Sequence, residues 1–151
     1  MNSKNKIVSP KFAHLFDISL VIGEAHDLGE TPNGKKRIVQ VVGGEFMGDR
    51  VRGNVRTESA ADWVLIRPDL SIKLDVRLTL ETIDNALVHM RYEGIRHASS
   101  NQHVNSGDFY WRISPFFETG SKKYSWMNKI VSFGMGEKNG NRVSYAVFEL
   151  M

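Results

Sequence analysis

The chain has no cysteine. Disulfides, thiol nucleophiles and thiolate metal sites are therefore all excluded, and a reducing compartment fits. Proline is scarce, at four residues in 151. Long apolar runs are missing too. The longest candidate, Ile18–Ile22, is interrupted by Ser19, which is far too little for a membrane span or the core of a signal peptide. A soluble, cytoplasmic protein with no membrane partner is expected. No stretch has the apolar period of a long amphipathic helix. Charge of one sign is not concentrated: 20 basic and 17 acidic residues are interspersed, for a net +3. Lys35-Lys36-Arg37 is the nearest approach to a basic patch and sits beside a turn, so no nucleic-acid partner is expected. The five histidines lie outside any recognised ligand spacing, which gives no metal site. Gly134-Met135-Gly136 leads toward a strand rather than a helix and lacks the spacing of a dinucleotide fingerprint. No cofactor is implied.

What the chain does contain is alternation. In Ser71–Glu81, Ile72, Leu74, Val76, Leu78 and Leu80 point one way, and Lys73, Asp75, Arg77, Thr79 and Glu81 the other. That is the period-2 signature of a strand with two chemically different faces. Ala86–Gly94 supplies the return arm, with Asn85 suited to a left-handed turn position. Further strands are read at Phe16–Ile22, Arg37–Val42, Phe46–Met47, Arg50–Arg56, Asp62–Ile66, Phe109–Ser114, Ile130–Met135 and Arg142–Leu150. Asn33-Gly34 marks a hairpin, Gly43-Gly44 a break, and Pro115 a strand end. Lys122–Lys129 can form one helical turn. Ile95–Asp108 reads as a long polar loop. Nine or ten short strands joined by tight turns predict an all-β fold, a single antiparallel barrel over residues 13–151 behind a loose tail of residues 1–12. A barrel of this size can hold one small ligand.

Several short pieces, in order, carry a resemblance: Gly34-Lys35-Lys36-Arg37-Ile38-Val39, Gly43-Gly44-Glu45-Phe46-Met47-Gly48, Ala61-Asp62-Trp63, Leu74-Asp75-Val76-Arg77, Tyr92-Glu93-Gly94, Tyr110-Trp111-Arg112, Phe117-Glu118-Thr119 and Tyr124-Ser125-Trp126-Met127-Asn128. Together they resemble the bacterial and fungal family called domain of unknown function 3237, or uncharacterised protein family 0311, from about Phe16 to Leu150. The resemblance implies an antiparallel barrel with a lipocalin-like look and brings no settled reaction. Ser59-Ala60 stands where the family usually has Gly-Gly, and Asp84-Asn85 where it usually has Asp-Gly.

The candidate chemistry follows from the polar faces. Asp75 and Arg77 emerge on one side of a strand, and Tyr110 and Arg112 repeat the arrangement on another. If those faces converge, Arg77 and Arg112 clamp a carboxylate, phenolate or enolate. Asp62, Asp75 or Glu118 is then the base, and Tyr110 the acid or orienting group. The catalytic set is Asp75, Arg77, Tyr110 and Glu118. Asp62, Trp63, Arg112, Trp126 and Asn128 are the ligand-binding set, with Trp63 and Trp126 as flat apolar walls. Alternation alone turns the leucine face of Ser71–Glu81 inward. The family motif, which includes the polar pair, favours the polar face. Both orientations stay open, and with them three functions. One is a cofactor-independent lyase, isomerase or cyclase for an aromatic or polyketide-like anion. Another is a carrier or sensor of such a small molecule. The third is a structural homodimer or higher homo-oligomer joined through Leu74–Leu80.

Overall fold

The computed structural model describes residues 9–98 and 109–151. Nine strands run through them: β1 (Phe12–Thr31), β2 (Gly34–Met47), β3 (Arg52–Val55), β4 (Ala61–Ile66), β5 (Ile72–Thr82), β6 (Leu87–Ala98), β7 (Phe109–Glu118), β8 (Val131–Asn139) and β9 (Arg142–Leu150). A 3₁₀ turn, η1 (Ser125–Lys129), occupies the segment read as one helical turn. Every strand pairing is antiparallel. The sheet runs β1-β9-β8-β7-β6-β5. At one end β5 pairs with β3 and at the other with β4. Both pair with β2, which pairs with β1 and closes the ring. Closure satisfies the edge strands that an open sheet would leave bare.

β1 and β2 are longer than their apolar runs because the Pro32-Asn33 turn lets both arms pair out to Thr31 and Gly34. Gly43-Gly44 bends β2 without breaking it. Gly44 sits at φ 151°, where a Cβ would meet the Ser19 carbonyl oxygen, and the register shifts beside it. Pro115 likewise does not end β7. It sits opposite Tyr92 on β6, and its carbonyl, turned the other way, accepts a 2.6 Å hydrogen bond from Ser132 Oγ. Its missing N–H therefore falls on the side where β7 and β8 have stopped pairing, so no ladder bond is lost. β6 extends to Ala98, which shortens the expected polar loop. Ser99 to Asp108, including His103, lies outside the described residues. Asn85 takes the left-handed conformation, at φ 65°.

The orientation of β5 is the leucine face inward. Leu74, Val76, Leu78 and Leu80 are at most 4 % exposed. They pack with Phe16, Phe46, Val88, Met90, Phe117 and Met127 of η1, and Phe16 meets Phe46 and Phe117 edge-on at 5.5 and 5.8 Å. Each such side chain contributes about 1.5–3 kcal/mol by leaving water, and no comparable term favours Asp75 and Arg77 inside. An oligomer joined through Leu74–Leu80 is thereby excluded, because that face is core.

The β5–β6 turn is fixed by one carboxylate. Asp84 accepts hydrogen bonds of 2.7 Å from Thr82 Oγ1, Tyr124 Oη and Lys123 Nζ. Lys123, Thr82 and Tyr124, in that order, hold its pKa far below the ordinary carboxylate range. A depressed folded pKa means stability that is present above the unfolded pKa and fades as pH falls below about 4. Asp84→Asn is thus expected to lower Tm at pH 7, with the gap to the parent narrowing from about pH 4 downward when melts are followed by circular dichroism.

Candidate functional site

The inner wall carries the site. Along β6, Val88, Met90, Tyr92, Gly94 and Arg96 share one face, because alternate residues of a strand do. The first three are buried in the core, so Arg96 also points into the barrel, at the end opposite the Phe16–Phe46 layer. Its cross-strand neighbours are Ile72 and Trp111, and its guanidinium lies 4.3 Å from the Phe109 ring centroid and 4.5 Å from that of Trp111. On β2, Arg37 is in phase with Val39 and Val41 and therefore faces inward from the opposite wall. Asp62 pairs with Val39 on one side and Val76 on the other, which puts its side chain on the same inner face. Arg37 stands one inward step beyond Val39, about 6.5–7 Å along the strand.

Beneath the arginines is an aromatic group. Tyr92 and Tyr145 meet edge-on at 5.3 Å, and Trp111 and Tyr145 at 5.7 Å. All three are at most 4 % exposed. Gly136 makes the arrangement possible: a Cβ there would sit 2.7 Å from Tyr145 Cε1 and 2.8 Å from Trp111 Cγ.

The electrostatics of this group are unusual. Burial pushes the Asp62 carboxyl up to about 7. The Asp75 N–H, donating to Asp62 Oδ1 at 3.2 Å, opposes this, and the Asp75 charge adds to it. Burial raises both tyrosines far above their ordinary value, and the Asp62 charge acts in the same direction on each. Both are neutral hydroxyls at physiological pH. Burial lowers the Arg96 pKa from its ordinary value, opposed by Tyr145. Three donors in the group, Arg37 Nε, Arg96 Nε and Trp111 Nε1, are buried without a hydrogen-bond partner among the described residues. Trp111 Nε1 lies close enough to influence the Tyr145 hydroxyl but closes no bond of ordinary geometry. Each unmet donor costs about 1–3 kcal/mol, a cost that an acceptor in the barrel mouth offsets.

The residues singled out from sequence are scattered. Asp62 is at the inner site. Trp63, Asp75 and Arg77 are on the outer wall, where with Lys36 they line a hollow of about 310 Å³. Tyr110 and Arg112 are also outward. Arg112 lies 4.8 Å over the Tyr110 ring and donates to the Trp111 carbonyl at 2.9 Å, while His97 stacks on Tyr110 at 5.0 Å. Ile95 of β6 lies between Lys73 of β5 and Arg112 of β7 in the ladder, so the two polar pairs share a convex surface and do not converge. Glu118, Trp126 and Asn128 are at the filled end. There Arg50 covers Trp126 at 3.6 Å, and Asn128 clamps Thr119 through its backbone N–H and carbonyl at 2.7 and 3.0 Å. The expected convergence of Asp75, Arg77 and Arg112 in a closed pocket is thus corrected. Burial of the leucines turns their polar faces out. Arg37, Tyr92, Arg96, Trp111 and Tyr145 were not among the candidates. Their signal was available: Arg37 and Arg96 are charged residues in phase with apolar ones, an expensive placement unless something uses the charge. Among the described residues no three His, Asp or Glu side chains gather as metal ligands, and no helix is long and apolar enough to cross a membrane.

Fold and site define a class: a closed antiparallel β-barrel whose inner wall carries arginines, a carboxylate and edge-on aromatics at one end. The chain belongs to the DUF3237 family, proteins of unknown function, whose model matches residues 10–150. It is 33% identical over 146 residues to the UPF0311 protein blr7842 of Bradyrhizobium diazoefficiens, covering 91% of this chain and 95% of the relative. A crystal structure of a beta-barrel like protein from Acinetobacter baumannii superposes with a TM-score of 0.89 at 30% identity, covering 98% of this chain and all of the other. An enzyme from Penicillium herquei shares the fold at 19% identity, with a TM-score of 0.74 and coverage of 97% and 98%.

Proposed function

We propose that the barrel mouth binds a small, planar, anionic molecule of aromatic or polyketide type, and that Asp62 moves a proton on it without a cofactor. Isomerisation, cyclisation and a lyase step all share that chemistry. The observation that carries the reading is Asp62 itself. A carboxylate pushed to about 7, facing the barrel interior beside two neutral tyrosines, is suited to take a proton and return it near neutral pH. Arg37 and Arg96 supply buried cationic donors for the charge that develops, and Trp111 supplies a further donor and a flat wall. The fungal neighbour's description as an enzyme agrees with this reading. Of the three carboxylates considered as base from sequence, Asp62 takes that role here, beside the binding role expected of it. Tyr145 takes the orienting role expected of Tyr110.

Two probes test it. Binding is read by protein NMR with 1-hydroxy-2-naphthoate against uncharged 1-naphthol. The anion is expected to bind about tenfold tighter or better, with shifts centred on Trp111 and Tyr145, and Arg96→Ala is expected to abolish the preference. Proton transfer is read as deuterium uptake into the methyl ketone of 2-acetyl-1-naphthol in heavy water, faster with the protein than in buffer. Binding without exchange overturns the catalytic half and leaves a carrier. Neither binding nor exchange overturns the whole reading.

A further inference from the structure

We propose that Asp75, on the outer wall, tunes the charge state of Asp62 on the inner wall through an opened stretch of the β4–β5 seam. This inference rests on the reading of Asp62 as the working base. β4 and β5 pair at Ala61–Arg77 and Asp62–Val76, and again at Leu65–Lys73 and Ile66–Ile72. Between them the ladder is open at Trp63 and Val64. The backbone N–H of Asp75, which a regular ladder would give to a β4 carbonyl, goes instead to Asp62 Oδ1 at 3.2 Å. The inner carboxylate is wedged into the wall at the point where Asp75 begins.

The Asp75 side chain leaves on the other face, into the hollow lined by Lys36, Trp63 and Arg77. Its Oδ1 is buried and makes no hydrogen bond, and among the described residues no cation comes within salt-bridge distance of it. Asp75 is half-buried, so its charge reaches Asp62 through the sheet only partly screened by the hollow. Every group facing Asp62 has a sign. Asp75 from β5 opposes its ionisation. Arg37 from β2 and Arg96 from β6 are cations on the same inner face. Tyr92 from β6 and Tyr145 from β9 are neutral. Asp75 is the acidic member of the set and the residue whose backbone also holds Asp62, so one residue supplies both the anchor and the repulsion. It touches no reacting atom and is a positioning residue.

The test is the titration of Asp62 in ligand-free protein, followed by ¹³C-carboxyl NMR of aspartate-labelled material. Asp75→Asn and Asp75→Ser both keep the backbone donor and remove the charge. Each is expected to lower the Asp62 midpoint by at least about half a pH unit, roughly threefold in proton affinity. Glu93→Gln removes a charge of the same sign from the residue opposite Asp75 on β6 and is expected to shift the midpoint by less. The inference is overturned if both Asp75 variants move it no further than Glu93→Gln. A parent protein whose Asp62 titrates near 3.8 overturns the base reading as well. A midpoint near 7 that the Asp75 variants leave in place overturns this inference alone.

Discussion

Asp62→Asn is expected to cut proton transfer about 100- to 10,000-fold while making the protein more stable above pH 7. The first half follows from the general contribution of a positioned base. The second follows from linkage. The folded-state pKa is raised from 3.8 to about 7, mainly by burial. Between those values the folded chain holds a proton that the unfolded chain has released, so stability falls as pH climbs through that window. Above 7 the full cost of an ionised, poorly solvated carboxylate is present, on the order of 4 kcal/mol at most. Asparagine keeps an oxygen for the Asp75 N–H and carries no charge. The Tm of the variant is therefore expected to exceed that of the parent at pH 8.5 and to approach it at pH 4. Thermal melts across that range check the sign. A parent Tm that does not fall between pH 5 and 8 relative to the variant contradicts it. A group that weakens the fold in the state needed for chemistry is the usual mark of a functional residue.

Gly136→Ala is expected to lower stability by about 1–3 kcal/mol and to weaken aromatic ligands by about tenfold or more. The added methyl would stand 2.7 Å from Tyr145 and 2.8–2.9 Å from Trp111, in a buried layer where neither ring has room to retreat. For a chain of this size the shift corresponds to a Tm lower by about 3–10 °C. The rings must then part or tilt, which displaces the Trp111 indole and the surface a flat ligand would lie on. Gly120→Ala is the comparison, since a Cβ there meets nothing within 4 Å. Its Tm and its affinity for 1-hydroxy-2-naphthoate are expected to stay near those of the parent. Equal behaviour of the two variants would show that the close packing around Gly136 carries no weight.

Much of the barrel was written locally. The alternation of Ile72 to Leu80, the turn chemistry of Asn33-Gly34 and Asn85, and the regular spacing of short strands all act over a few residues, and period and turn type are local properties. Pro115 and Gly43-Gly44 misled because their meaning depends on the neighbour. A proline ends a strand only if its missing N–H faces a pairing partner, and paired glycines break a strand only if no bulge absorbs them. The site was less legible. Asp62 came through the Ala61-Asp62-Trp63 motif. Arg37 and Arg96 sat in plain sight as charges in apolar phase, yet their phase has meaning only once the inner face is known.

The sequence by itself determined the class of fold and the family, since both reside in order and spacing along the chain. It also settled the two-faced character of β5. Only the tertiary structure decided which face looks inward, because that choice is made by the summed burial of leucines, phenylalanines and methionines from five strands and η1. The same closure brought Asp62, Tyr92, Arg96, Trp111 and Tyr145 together from four separate strands and left Asp75 on the far side of a wall one strand thick.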